Sequence, residues 1–91
     1  MEVPAFQDTY GWIAFRRGDY AEALDYLKPA AESLPGDPLV QYHLGRAYHA
    51  VGQKRDAQTA LARALELAGD RELPQFATAR EMLEEMARSA Q

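Results

Sequence analysis

The sequence predicts an all-α domain of two helix pairs followed by a fifth helix. Three observations carry that prediction. Alanine occurs 17 times and leucine ten times in 91 residues, whereas valine, isoleucine and threonine together occur seven times, a balance that favours helices over the β-branched chemistry of strands. Sliding the chain by 34 residues aligns Pro4 with Pro38, Gln7 with Gln41, Gly11 with Gly45, Gly18 with Gly52, Ala23 with Ala57, Leu27 with Leu61, Ala30 with Ala64 and Glu32 with Glu66. These identities fall on small and punctuating residues, where backbone geometry or close helix contact leaves few alternatives. A third copy also begins: Leu73, Gln75, Phe76, Ala79 and Arg80 follow Leu39, Gln41, Tyr42, Gly45 and Arg46 at the same spacing. The chain is therefore read as one domain, 1–91, made of repeat one over 4–37, repeat two over 38–71 and a capping segment over 72–91.

The elements follow in order. Pro4 suits a first helical position, Phe6, Tyr10, Ile13 and Ala14 recur at three- and four-residue spacing, and Gly18 ends the first helix. Asp19 with Glu22 three residues on reads as a capping box for the second helix, whose apolar stripe is Ala23, Leu24, Leu27, Ala30 and Ala31. Pro29 inside that helix removes a backbone bond to Asp25 and predicts a bend tolerated by packing. Pro35-Gly36-Asp37-Pro38 closes it and opens the third helix, with Asp37 as cap. Val40, Leu44, Ala47 and Tyr48 line helix three up to Gly52, and Ala57, Leu61, Ala64, Leu65 and Ala68 line helix four up to Gly69. The fifth, from about Pro74, carries Phe76, Ala79, Met82, Leu83 and Met86. Gly11, Ala23 and Ala30, with Gly45, Ala57 and Ala64, are expected where helix axes approach closely, so Gly45→Leu is predicted to be severely destabilising.

Composition excludes several functions. A net charge of −4 and a pI near 5.0 argue against nucleic acid, whose binders present a basic field. The longest uncharged stretch named by the pattern, Leu39 to Gly45, is far short of the roughly 18 apolar residues of a membrane span. Met-Glu-Val-Pro lacks the basic start of a signal peptide, so a soluble protein is expected, cytoplasmic or, if cut from an exported precursor, periplasmic. There is no cysteine, which removes thiolate chemistry and leaves the redox compartment open. His43 and His49 are six apart, not the four a helical metal pair wants, and no metal or cofactor is expected. No nucleophile elbow or phosphate-cradling glycine loop is present, and Ser33 and Ser89 have no histidine near in sequence, so an enzyme is not expected.

The residues resemble the tetratricopeptide repeat. Leu44-Gly45-Arg46-Ala47-Tyr48 fits its first box in repeat two, and Tyr10-Gly11-Trp12-Ile13-Ala14 fits it with substitutions in repeat one. Ala23 with Leu27, and Ala57 with Leu61, occupy the second box with leucine in place of the aromatic; Pro35 is the stopping proline, replaced by Gly69 in repeat two. Gln7 and Gln41 stand where the pattern has tryptophan. Asp8-Thr9-Tyr10-Gly11-Trp12-Ile13 further resembles the opening of the last repeats in long bacterial arrays of the family.

The resemblance implies an α-α superhelix whose first helices line a concave groove for a peptide or extended protein segment. It places Asp8, Trp12, Phe15 and Arg16, then Leu39, Tyr42, His43, Arg46 and His49, then Phe76, Arg80 and Leu83 on or near that groove. Aromatics and arginines dominate binding hot spots. Arg46 and Arg80, 34 apart, are read either as a clamp for an acidic group or as ion pairs with Asp8, Glu81 or Glu84. Trp12 and Phe15 are read either as ligand contacts or as packing against a neighbour, and Tyr10, Tyr20, Tyr26 and Tyr48 as packing residues with a polar tip. The expected role is a non-catalytic adaptor or scaffold. The alternative is a structural end-piece of a longer solenoid, or a unit that forms a homodimer or meets upstream repeats through helix one, whose Phe6, Trp12, Ile13 and Phe15 lack a polar cap.

Overall fold

Turn chemistry sets the helix boundaries. The computed structural model describes residues 3–90, which form five α-helices and no strand: α1 (Pro4–Arg16), α2 (Tyr20–Ser33), α3 (Pro38–Ala50), α4 (Lys54–Ala68) and α5 (Pro74–Ser89). Proline opens α1, α3 and α5, at the position where a missing N–H costs nothing. The α1–α2 and α3–α4 turns are the same structure written twice. Gly18 N–H donates to Phe15 O and Asp19 N–H to Ala14 O; 34 residues on, Gly52 donates to His49 and Gln53 to Tyr48. This paired closure of the last turn needs a left-handed residue, supplied by Gly18 and Gly52 at φ 86° and 85°.

The two expected caps part company. Asp37 Oδ1 accepts from the N–H groups of Leu39 (3.0 Å) and Val40 (3.3 Å), completing the start of α3. Asp19 makes no such bond, and the expected capping box with Glu22 is absent. Arg17 is the reason: its Nη2 lies 3.1 Å from Asp19 and 4.0 Å from Glu22, drawing both carboxylates away from the helix end. Helix α2 contains Pro29 and continues to Ser33.

Packing proceeds from each helix to the next in sequence. A Cβ built on Gly11 would sit 2.6 Å from Leu27 Cγ, and one on Gly45 would sit 2.7 Å from Leu61 Cγ. Leu27 and Leu61, both fully buried, thus fill the space that the glycines vacate, as the 34-residue spacing predicted. One core joins Ala14, the inner face of α2 and Val40, Leu44 and Ala47 of α3. A second joins Tyr42, Leu61, Ala64 and Ala79, flanked by Trp12, Met82, Leu83 and Met86.

Of the apolar stripe expected on α1, Ala14 enters the core and the three larger side chains do not. Phe6, Tyr10 and Ile13 are 59%, 56% and 46% exposed, although their counterparts Val40, Leu44 and Ala47 are 2%, 8% and 0% exposed. The physical reason is that α2 packs against α3, while no described helix precedes α1. Tyr20 is exposed as well, yet Tyr10 tilts against the ring of half-buried Tyr26 at 6.1 Å and Tyr20 against Phe15 at 5.2 Å, so both pack along one edge while the rest of the ring meets solvent; Tyr48 is half-buried.

Candidate functional site

Helices α1 and α3 run close enough to share a cluster of rings. Trp12 and Phe15, three residues apart on α1, stack with ring centroids 4.7 Å apart and planes 5° from parallel. From α3, His43 stacks on Trp12 at 4.2 Å, and Tyr42 approaches it edge-tilted at 6.1 Å. Phe15 in turn meets Tyr20 at 5.2 Å. Offset and tilted aromatic pairs of this kind add about 0.5–1.5 kcal/mol each beyond their burial.

Arg46 lies over this surface. Its guanidinium carbon is 5.2 Å from the Phe15 ring, 5.7 Å from Tyr42 and 5.9 Å from Trp12, inside cation–π range of all three. Its Nη1 donates to the Tyr42 hydroxyl at 2.6 Å. No carboxylate reaches Arg46 among the described residues. Asp8, one of its expected partners, is committed elsewhere: Asp8 Oδ1 accepts from His43 Nδ1 at 2.8 Å, with both side chains less than one-fifth exposed. A carboxylate only accepts, so the contact places the proton on Nδ1 and holds the imidazole against Trp12. A guanidinium has five N–H donors; one goes to the Tyr42 hydroxyl, and no acceptor among the described residues takes the others.

The structure therefore brings together Trp12, Phe15, Tyr42, His43 and Arg46 of the residues expected in the groove. Phe76, expected in the groove, is instead on the inner side of α5, fully buried, and offers a ligand nothing. Tyr42 is likewise a core side chain, 3% exposed, that contributes through its hydroxyl to Arg46. Leu39 is half-buried in the first turn of α3. Arg16 and Arg80 are exposed and form no hydrogen bond or ion pair among the described residues, so Arg80 is not tied to Glu81 or Glu84. His49 lines a separate recess with Lys54, Gln58, Glu85, Met86 and Ser89. Sequence spacing missed the Asp8–His43 bond, because residues 35 apart on different helices carry no periodic signal. Away from the cluster, burial raises the pKa of the Tyr48 phenol, with help from the carboxylates of Asp56 and Glu32.

A family model described as tetratricopeptide repeat matches residues 14–83, most of the chain. The chain belongs to the tetratricopeptide repeat family. No curated protein and no solved structure gives a match. In this tetratricopeptide repeat protein the family's small residues are the ones that admit Leu27 and Leu61, and its first-of-pair helices, α1 and α3, are the ones that meet at Arg46. Repeats of the family serve as protein-interaction modules, which assigns this chain to protein–protein interaction at that level. No helix among the described residues is long and apolar enough to cross a membrane.

Proposed function

We propose that this tetratricopeptide repeat protein is a non-catalytic adaptor that holds an extended peptide segment along α1, α3 and α5 and reads an acidic group on it with Arg46. The observation that carries this reading is a guanidinium laid over three aromatic rings and paired with no carboxylate among the described residues. Held there by Tyr42, Arg46 surrenders little further side-chain entropy on meeting a ligand carboxylate. The resulting charge-assisted bond is stronger than a neutral one. Arg16 and Arg80, both exposed on the first and last of these helices, add positive charge along the same path in a chain whose net charge is −4. The proposal involves no cofactor, nucleic acid or membrane.

Trp12 is the single tryptophan of the chain and lies within the cluster, so its emission reports occupancy. Titration with a library of extended acidic peptides, each matched by a version with glutamine for glutamate, is expected to change that emission for the acidic series alone. Arg46→Gln should weaken binding by at least about tenfold, the loss of one charge-assisted contact, while Arg63→Gln on α4 should not. Equal binding by the parent and Arg46→Gln would overturn the reading. A second reading, the end-piece or self-associating unit, is favoured by the exposed Phe6, Tyr10 and Ile13 of α1.

A further inference from the structure

The described surface concentrates its large exposed hydrophobic side chains at one end: Val3, Phe6, Tyr10, Ile13 and Tyr20 lie in the first 20 residues, and Val51 and Leu73 are the others. Three of the five, Phe6, Tyr10 and Ile13, recur at four- and three-residue spacing on α1, so they form one stripe along its outer side, with Val3, the extended residue that precedes the helix, at its start. The stripe carries no charge. Asp8, the one ionised residue between Pro4 and Phe15, is bonded to His43 on α3. Beside the stripe, a shallow recess is bordered by Tyr10, Ile13, Arg17, Glu22 and Tyr26. Its two charges already face each other, Arg17 Nη2 lying 4.0 Å from Glu22 Oε2.

We infer that this face of α1 is a self-association surface, on which a second copy of the chain packs its own α1 antiparallel about a twofold axis near Tyr10. This inference rests on the second reading above, the self-associating unit, and gives it a surface and a geometry; it is separate from the peptide groove and does not use Arg46. Three features select a second copy as the occupant. The opposite end of the molecule is polar: Glu81, Glu84, Glu85 and Arg88 of α5 are exposed, so a head-to-tail contact sets apolar against charged surface. The surface of another copy that matches the stripe is the stripe itself, and an isologous contact closes at two. An antiparallel twofold sets Phe6 of each copy against Ile13 of the other, next to the recess, so the most exposed ring meets a hollow beside the stripe.

Area sets the strength. Side chains of this size bury about 150–250 Å² each when fully covered, so the exposed portions of the four stripe residues amount to roughly 400 Å² per copy. Two copies with their rims reach about 1,000 Å², the range of weak, reversible complexes. The dimer is therefore expected to dissociate on dilution.

Sedimentation velocity over a concentration series tests this. The parent is expected to rise with concentration toward twice its 10.2 kDa mass, and Arg46→Gln should behave as the parent does. Phe6→Glu and Ile13→Lys, both at exposed positions, should each be monomeric throughout with unchanged circular dichroism. Their equimolar mixture should associate again, because the twofold places the new glutamate against the new lysine on one side and leaves the native Phe6–Ile13 contact on the other. A parent that stays monomeric at every concentration, or an Ile13→Lys protein that associates as well as the parent, would overturn the inference. Failure of the mixture to associate while the parent does would overturn the antiparallel arrangement.

Discussion

Helices α1 and α3 are built on one template, yet one is a surface helix and the other a core helix. Each begins with proline, carries its glycine at the same place and ends in the same double-bonded glycine turn. Each glycine receives a leucine from the helix that follows. They differ on the side facing backwards along the chain: Val40, Leu44 and Ala47 lie against α2, while Phe6, Tyr10 and Ile13 stand in solvent. The comparison teaches that a repeat position has no fixed environment. The following helix is part of the same unit and is specified with it; the preceding helix belongs to the neighbour, and only the neighbour decides whether that face is buried.

The largest contrast is expected on that backward face. Leu44→Glu, which forces a carboxylate into the core, should cost about 3–4 kcal/mol. Tyr10→Glu at the equivalent place should stay within about 0.5 kcal/mol, both by urea denaturation of dilute protein. Similar losses for the two would erase the distinction between the helices. The forward faces should be closer to each other. Gly45→Leu must displace buried Leu61 between helices packed on both sides, at about 3 kcal/mol, whereas Gly11→Leu should cost about 1–2 kcal/mol because α1 is free to move outward. A thermal midpoint for Gly45→Leu near that of the parent would remove the close-approach account altogether.

The helix starts offer a smaller test. Asp37→Ala removes two bonds to backbone N–H groups and should cost about 1 kcal/mol. Asp19→Ala removes only an exposed contact with Arg17 and should cost at most a few tenths. Equal effects would mean that Asp19 caps α2 after all. The smallest effect concerns Tyr48, whose phenol is held above its ordinary value of about 10 mainly by burial. The neutral form is favoured in the folded state, so its stabilising contribution is complete below that value and is lost as pH rises through the higher folded value. Alkaline titrations monitored by circular dichroism should therefore show a shallower loss of stability in Tyr48→Phe than in the parent.

These contrasts follow what was legible in the residues. Proline, glycine and Asp37 act through the local backbone, so the helix boundaries and the turns could be read directly. The 34-residue identities also exposed the glycine–leucine contacts, because both partners recur together. Asp19 misled because capping competes with a guanidinium two residues away, and local pattern does not rank the two. Burial of Phe76 was hidden for a different reason: Arg80, four residues on, is exposed, and which side of α5 faces α4 depends on the turn between them. The meeting of Asp8 with His43, and of Arg46 with Trp12 and Phe15, depends on how α1 and α3 cross, which spacing along one helix does not state.

The order of packing has a kinetic consequence. Backbone contacts join each helix to the next, with α1 to α3 and α3 to α5 as the longest reach, so α1 and α2 approach the remainder through α3 alone. Short sequence separations close quickly and place the chain among fast folders. The same arrangement lets α1 and α2 detach as a pair while α3, α4 and α5 keep their contacts, so amide exchange is expected to be quickest in the first pair.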